Sequence, residues 1–498
     1  MTFIKKVLND SFVYGIGASM TRAINYLLVP IHTYAFSSAS GEYSVITRMY
    51  AYTAILSVIL TFGMETTYFY FMGKQQDKGI EKQLYSTILT FVGLISLLFS
   101  VLVILFIEPI GQIMQYQDYH AYILSLFICI AFDAFQAIPA AYLRQHDEKK
   151  KYLTITFVKA LFIVILNFIY FQLFPMLEIY PLGMYGSNGK LNIGYVFYIN
   201  LFVSVISTFF YWKELIIANY KIEFSLLRPI IRYGFSLVIF QIAGTVIQNA
   251  DKVLYPYLDK SIYSEQNLAI YGGVVKIATI IVVLNSIFIK AFEPLALNNV
   301  NEESNKEDLA LAMKWYVVFM LMAFLGVNAT LNFFRIFINR DYWSGLFVVP
   351  IVMGAQILLG IYQNLSTGYK QIDKNYLMVC FSFLAFFLFI FLNVVFVPSY
   401  GYEACAWAQL ISFGFAVIIS YTVSIRITKI KYPTIPILRY FGVTVLFFVC
   451  MKVINEQTDS LFAIIPNLLL MFLFIAYVVK DITQFSFADK LKKIIGRH

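Results

Sequence analysis

Eight ionisable side chains lie inside long apolar stretches of this chain. Five are basic (Arg22, Arg48, Lys159, Lys252 and Lys276) and three acidic (Glu65, Asp133 and Asp251), an excess of positive charge. A charge facing hydrocarbon is costly, so such groups normally face a cavity or a partner. Arg22, Asp133 and Lys276 fall near the middle of their stretches. Arg48, Asp251 and Lys252 lie nearer one membrane face, Glu65 and Lys159 nearer the other. Polar neighbours accompany them. Asn25 follows Arg22 by three residues, on nearly the same helix face. Gln241, Thr245 and Gln248 form a polar stripe, with Asn249 beside it. A cationic, wet cavity suits an anionic cargo, above all a phosphate that must leave water. Arginine fits phosphate because its planar fork donates two parallel hydrogen bonds and its charge persists when buried. Arg22, Arg48, Lys252, Lys276, Asn25 and Gln248 are therefore the candidate binding residues. Glu65, Asp133 and Asp251 could pair with these cations in the empty state or carry a coupling ion. The plainer alternatives are a structural pair for Arg22 and snorkelling for Lys159 and Arg48. Asp251 and Lys252 sit about 100° apart on a helix, so one is expected to face the cavity and the other a neighbouring helix.

These residues must be held by membrane-spanning helices. The chain is 60% hydrophobic and 13% charged, which excludes an ordinary soluble domain. Stretches of about 20 apolar residues mark spans. We place fourteen, near 10–35, 43–72, 84–107, 119–143, 152–173, 191–212, 230–257, 266–289, 315–334, 344–367, 376–396, 402–424, 434–451 and 461–479. Alternate gaps hold 27 of the 37 Lys and Arg, and the other gaps hold only Lys190, Lys260, Arg335, Arg340 and Lys452. That asymmetry places both termini in the cytoplasm. The net charge of +9 follows from those inner loops. It favours anionic lipid head groups and is no signal for nucleic acid. The segment Met1–Lys6 and the long run after it lack the short apolar core of a cleaved signal. Cys129, Cys380, Cys405 and Cys450 all fall in spans and read as small apolar residues. His32, His120, His146 and His498 show no ligand spacing, so no metal site is expected.

A weak internal repeat organises the spans. Tyr14-Gly15 opens span 1 and Tyr233-Gly234 opens span 7; Tyr43-x4-Arg48 in span 2 answers Tyr271-x4-Lys276 in span 8. An offset of six spans gives two halves of the same direction about an axis along the membrane normal. The expected fold is all-α and polytopic, with two pseudo-symmetric six-helix bundles and two further helices. Its parts are residues 1–213 (spans 1–6), 214–425 (spans 7–12), 426–480 (spans 13 and 14) and 481–498, a cytoplasmic amphipathic tail. The gap 290–314 reads as a solvated hinge. Gly183 to Lys190 superficially suggests a phosphate loop, but its glycine spacing is wrong by one and Leu191 replaces Ser/Thr. No hydrolase or metalloprotease motif appears, so no enzyme activity and no cofactor are expected. Coupling to an H+ or Na+ gradient is compatible with that.

Further residues carry a resemblance. They are Tyr14-Gly15 through Leu27-Leu28-Val29-Pro30, Gly41-Glu42-Tyr43, Thr61-Phe62-Gly63-Met64-Glu65-Thr66, Asn249-Ala250-Asp251-Lys252, Ile270-Tyr271-Gly272 and Ala291-Phe292-Glu293-Pro294. In them the chain resembles Wzx-type polysaccharide flippases of the multidrug/oligosaccharidyl-lipid/polysaccharide exporter superfamily. The resemblance covers about the first 300 residues. It implies two six-span bundles around a V-shaped cavity in the bacterial cytoplasmic (inner) membrane. It also implies carriage of an undecaprenyl-pyrophosphate-linked oligosaccharide to the outer leaflet, for O-antigen (lipopolysaccharide), capsule or exopolysaccharide, with a polysaccharide polymerase as a partner. Related flippases place essential cations on spans 1, 2 and 8, where Arg22, Arg48 and Lys276 fall; Lys276 stands where an arginine is expected. Two rivals remain open. A multidrug exporter of the same fold would want acidic residues to dominate its cavity. A polymerase or ligase would want a long outer loop, and no outer gap exceeds about 20 residues.

Overall fold

The computed structural model describes residues 24, 26–74, 78–181, 183–185, 191–298, 302–372, 374–457 and 461–495. Almost all of them are helical. In hydrocarbon every backbone N–H and C=O needs a partner from its own segment, and a helix supplies one. Twelve helical segments among the described residues are long and apolar enough to cross a membrane, and Gly194–Phe209 is a shorter apolar one. The principal helices are α1 (Leu28–Ala35), α2 (Glu42–Thr61), α3 (Met64–Lys74), α4 (Lys78–Leu105), α5 (His120–Gln145), α6 (Lys149–Phe168), α7 (Gly194–Phe209) and α8 (Phe224–Leu258). They continue as α9 (Ser264–Asn298), α10 (Glu302–Ala329), α11 (Val349–Gln371), α12 (Asn375–Tyr400), α13 (Tyr402–Ile427), α14 (Thr434–Gln457) and α15 (Ile464–Ile495).

Three boundaries differ from the hydropathy reading. The expected hinge at 290–314 is largely helix, because α9 runs on to Asn298 and α10 begins at Glu302. The expected separate tail helix is a continuation of the last span, since α15 is unbroken from Ile464 to Ile495. Helix that extends beyond the membrane carries no run of apolar residues, so hydropathy stops short of it. The second span, read as continuous, breaks at Phe62 and Gly63, whose φ angles are 49° and 61°. A Cβ on Gly63 would lie 3.1 Å from Leu237 Cβ and 3.3 Å from the Gly234 carbonyl on α8. Left-handed backbone and this close approach together call for glycine there.

One bundle is built from α4 to α7 around α2, and the other from α8, α9 and α11 to α13. They meet where α2 packs along α8 and α9. The last two helices, α14 and α15, lean on α10 and leave most of their apolar surface outward, Leu446, Leu469 and Phe472 among it. Buried polar groups lie inside (Asp251, Asn167, Gln409 and Ser412), the inversion expected where lipid is the solvent. Cys129 and Cys405 are buried, Cys380 and Cys450 exposed, and all four are free thiols.

Candidate functional site

The site begins at the seam between α2 and α9. Gly272 brings α9 against Thr47 so closely that a Cβ would fall 1.9 Å from Thr47 Oγ1. Two cavities open beside this contact, about 260 and about 280 Å³ in volume, and both are lined by Tyr50, Lys276 and Thr279. Lys276 lies twelve residues after Ser264, where α9 begins. That puts it about 18 Å along the helix, close to the middle of a bilayer. Its Nζ sits 5.7 Å above the Tyr50 ring. Asn200 on α7 donates to the Tyr50 hydroxyl at 2.9 Å and so fixes that ring. The first cavity adds His32 and Asn200, and the second adds Gln248, Asn249, Lys252, Gln356 and Gln409. Among the described residues, neither cavity has an Asp or Glu in its lining.

Lys252 and Asp251 divide as expected, but they also pair. Asp251 is fully buried and accepts from the Tyr271 hydroxyl of α9 at 2.6 Å. Lys252 lines the second cavity while its Nζ curls back to Asp251 Oδ1 and to the Gln248 carbonyl, each at 2.9 Å. The flexible four-carbon stem overcomes the 100° between neighbours. Asp251 thereby holds Lys252 at the cavity wall. Gln248, in the same lining, donates its amide to Gly244 at 3.3 Å.

The other candidates are distributed differently. Arg48 lines neither cavity in this conformation. It is fully buried, with its guanidinium 4.9 Å from the rings of both Tyr116 and Tyr257. Its Nε and Nη2 have no hydrogen-bond partner among the described residues. Arg22 and Asn25 lie outside the described residues. Glu65 pairs with Arg144 at 2.8 Å, and Asp133 with Lys159 at 2.5 Å. Those two acids therefore serve cations other than Arg48 and Lys276. Lys159 does not snorkel. It also donates to Gln136 Oε1 at 3.2 Å, while Ser204 donates to the same Asp133 carboxylate. We expect Lys159→Met to lower stability by about 1–2 kcal/mol, less than the roughly 2.5–3.5 kcal/mol of a charge at a lipid-facing helix centre. Asp133 sets that lower figure, because its side chain keeps 47% of its exposure. The double change Lys159→Met/Asp133→Asn should recover most of the loss in melting temperature of the detergent-purified protein. A double variant no better than the single one would deny the pair.

Sequence reading missed His32. It is buried in the wall of the first cavity and shares a 2.8 Å hydrogen bond with Asn167 of α6. The signal was only a polar residue in a span, without spacing to any other histidine.

The bundles are tied at the end bearing the Ser37–Gly41 turn, the end that the charge asymmetry leads one to expect outside. Ser37 donates to Asp341 at 2.7 Å, Tyr342 to the Phe36 carbonyl at 2.6 Å, and Tyr34 to the Ile336 carbonyl at 3.0 Å. Ser44 of α2 donates to Glu265 of α9. These bonds hold the two bundles together at that end.

Residues 7–296, more than half of the chain, match the polysaccharide biosynthesis protein family. The chain belongs to that family. Its fold is shared with solved exporters at low sequence identity. The lipid II flippase MurJ in an inward closed conformation superposes with a TM-score of 0.72 at 16% identity, covering 94% of this chain and 99% of that one. An inward-facing multidrug resistance MATE transporter of the MOP superfamily gives 0.62 at 13%, covering 82% and 94%. A MOP superfamily transporter from Pyrococcus furiosus, described as having a binding pocket of reverse polarity, gives 0.54 at 13%, covering 86% and 96%. No curated protein sequence matches. Family and fold together make this a multi-pass membrane protein that shares its fold with solved flippases and exporters, with the all-α architecture expected from hydropathy.

Proposed function

We propose that the protein flips an oligosaccharide linked through pyrophosphate to undecaprenol, from the cytoplasmic to the periplasmic leaflet of a bacterial inner membrane. The cargo feeds synthesis of a surface polysaccharide, which a polymerase then extends. The observation that carries this reading is the polarity of the two central cavities. Among the described residues Lys252 and Lys276 line them, no carboxylate does, and Lys276 has no acidic partner. A dianionic pyrophosphate leaving water needs such an uncompensated charge. A cationic drug would meet repulsion there, which weighs against the multidrug reading. The amides of Gln248, Asn249 and Gln356 suit the sugar hydroxyls or the phosphate oxygens. With the outer end tied shut, the cavities load from the inner side; opening the outer end and closing the inner one completes alternating access. Arg48, stacked between one aromatic ring from each bundle, loses one of them when the bundles part. Its free N–H groups then meet phosphate on the way out.

The test is the leaflet distribution of the lipid-linked oligosaccharide in cells lacking the protein, read by an impermeant probe. Inner-leaflet accumulation reversed by the wild-type chain is expected. An unchanged distribution together with new drug sensitivity would favour the exporter instead.

A further inference from the structure

A third cavity, of about 310 Å³, lies at the outer end, above Arg48. Its wall differs in kind from those of the central pair. Glu42 and Glu265 supply carboxylates, Gln115 and Asn192 supply amides, and Tyr119 and Tyr122 supply rings. Among the described residues no Lys or Arg lines it. Among the described residues the lining charge therefore differs in sign between the central cavities and this one. Tyr119 and Tyr122 are only half-buried, with ring centroids 5.1 Å apart and planes tilted by 34°. The Tyr122 hydroxyl donates to Asn192 Oδ1 at 2.9 Å, which steadies that ring. Behind them Tyr116, 4% exposed, has its ring against the Arg48 guanidinium at 4.9 Å.

We propose that this vestibule is a glycan subsite that holds a neutral sugar ring of the cargo at the outer end of the path. The inference rests on the flippase reading above. Pyranose rings present an apolar C–H face and an equatorial belt of hydroxyls. The faces of Tyr119 and Tyr122 meet the first. Glu42, Glu265 and the amides accept from or donate to the second, with carboxylates giving the stronger, charge-assisted bonds. The same carboxylates repel phosphate. Sugar and pyrophosphate are thereby sorted, the ring to the acidic aromatic mouth and the phosphate to the lysines at the centre. Glu265 also accepts from Ser44, so the sugar site shares a residue with the outer seal.

The test uses the full chain in nanodiscs, saturation-transfer NMR, and two probes: the trisaccharide of N-acetylglucosamine and inorganic pyrophosphate. Wild-type protein should transfer saturation to the sugar ring protons, and pyrophosphate should not displace the sugar. Tyr119→Ala and the pair Glu42→Gln/Glu265→Gln should each cut that signal at least fivefold, with pyrophosphate binding kept. Tyr119→Phe, which preserves the ring face, should keep the signal and controls for misfolding. A wild type that gives no sugar signal, a signal unchanged in Tyr119→Ala, or displacement by pyrophosphate would each overturn the subsite. Sugar binding that fails while pyrophosphate still binds sinks the vestibule alone. Pyrophosphate that fails to bind the wild type sinks the central reading with it.

Discussion

Lys276→Glu is expected to stop translocation altogether while the protein still folds. Two unit charges about 6 Å apart interact by roughly 3 kcal/mol at an effective dielectric of about 20. Reversal turns that attraction into an equal repulsion, a swing of about 5–6 kcal/mol. At about 1.4 kcal/mol per factor of ten, flipping should fall more than a thousandfold, below detection. The side chain tolerates the change structurally because it faces both cavities and, among the described residues, has no carboxylate whose partner it would remove. Lys276→Arg keeps the charge and should retain most of the activity. Lys276→Gln should sit between, losing the attraction without gaining the repulsion. The measurement is leaflet accessibility of the lipid-linked oligosaccharide in complemented cells, with protein abundance as the control. Wild-type flipping by the Glu variant at normal abundance would remove Lys276 from the path.

What the sequence showed of this site, and what it hid, follows from physics. Apolar runs were visible because the bilayer demands them, so the helices that carry the site stand where hydropathy put them. Lys252 and Lys276 were visible for the same reason, since a charge in such a run stands out. Their neighbourhoods were not. The rings around Arg48 come from Tyr116 and Tyr257, both far beyond it along the chain, and nothing in local spacing marks them. Asp133 was read as a possible partner of the central cations because its depth is right. It meets Lys159 instead, because α5 and α6 are adjacent and the stem of Lys159 spans the gap. His32 became a wall residue only through α6, whose Asn167 orients it. The break at Phe62 and Gly63 was invisible to hydropathy, which is blind to backbone handedness. Its cause is the neighbouring α8, a contact between bundles.

Gly272→Val should drive the outer end open. In this conformation a Cβ at 272 would lie 1.9 Å from Thr47 Oγ1, 2.5 Å from its Cγ2 and 2.7 Å from its Cβ. No rotation of the Thr47 side chain relieves the last of these, and the Thr47 hydroxyl is already spent on the Tyr43 carbonyl at 3.0 Å. The helices themselves must part. Overpacking of this kind costs about 1–3 kcal/mol. Because α2 and α9 belong to different bundles, separating them avoids that cost without unfolding either one. The cost therefore falls on the closed state alone, and every 1.4 kcal/mol shifts a two-state population about tenfold. Parting α2 from α9 also strains the bonds above the contact, Ser44 to Glu265 and Tyr342 to the Phe36 carbonyl. The reporter is Ser38→Cys in a background with the four native cysteines changed to alanine. Ser38 is 2% exposed when the end is closed and donates to the Asp341 carbonyl at 3.1 Å. Its labelling by an impermeant maleimide should rise at least fivefold with Gly272→Val. The exchange Thr47→Gly/Gly272→Ala, which moves the Cβ from one helix to the other, should bring labelling back toward the wild-type rate. Labelling unchanged by Gly272→Val, in protein of normal melting temperature, would show that the α2–α9 contact persists through the transport cycle and that the bundles part elsewhere.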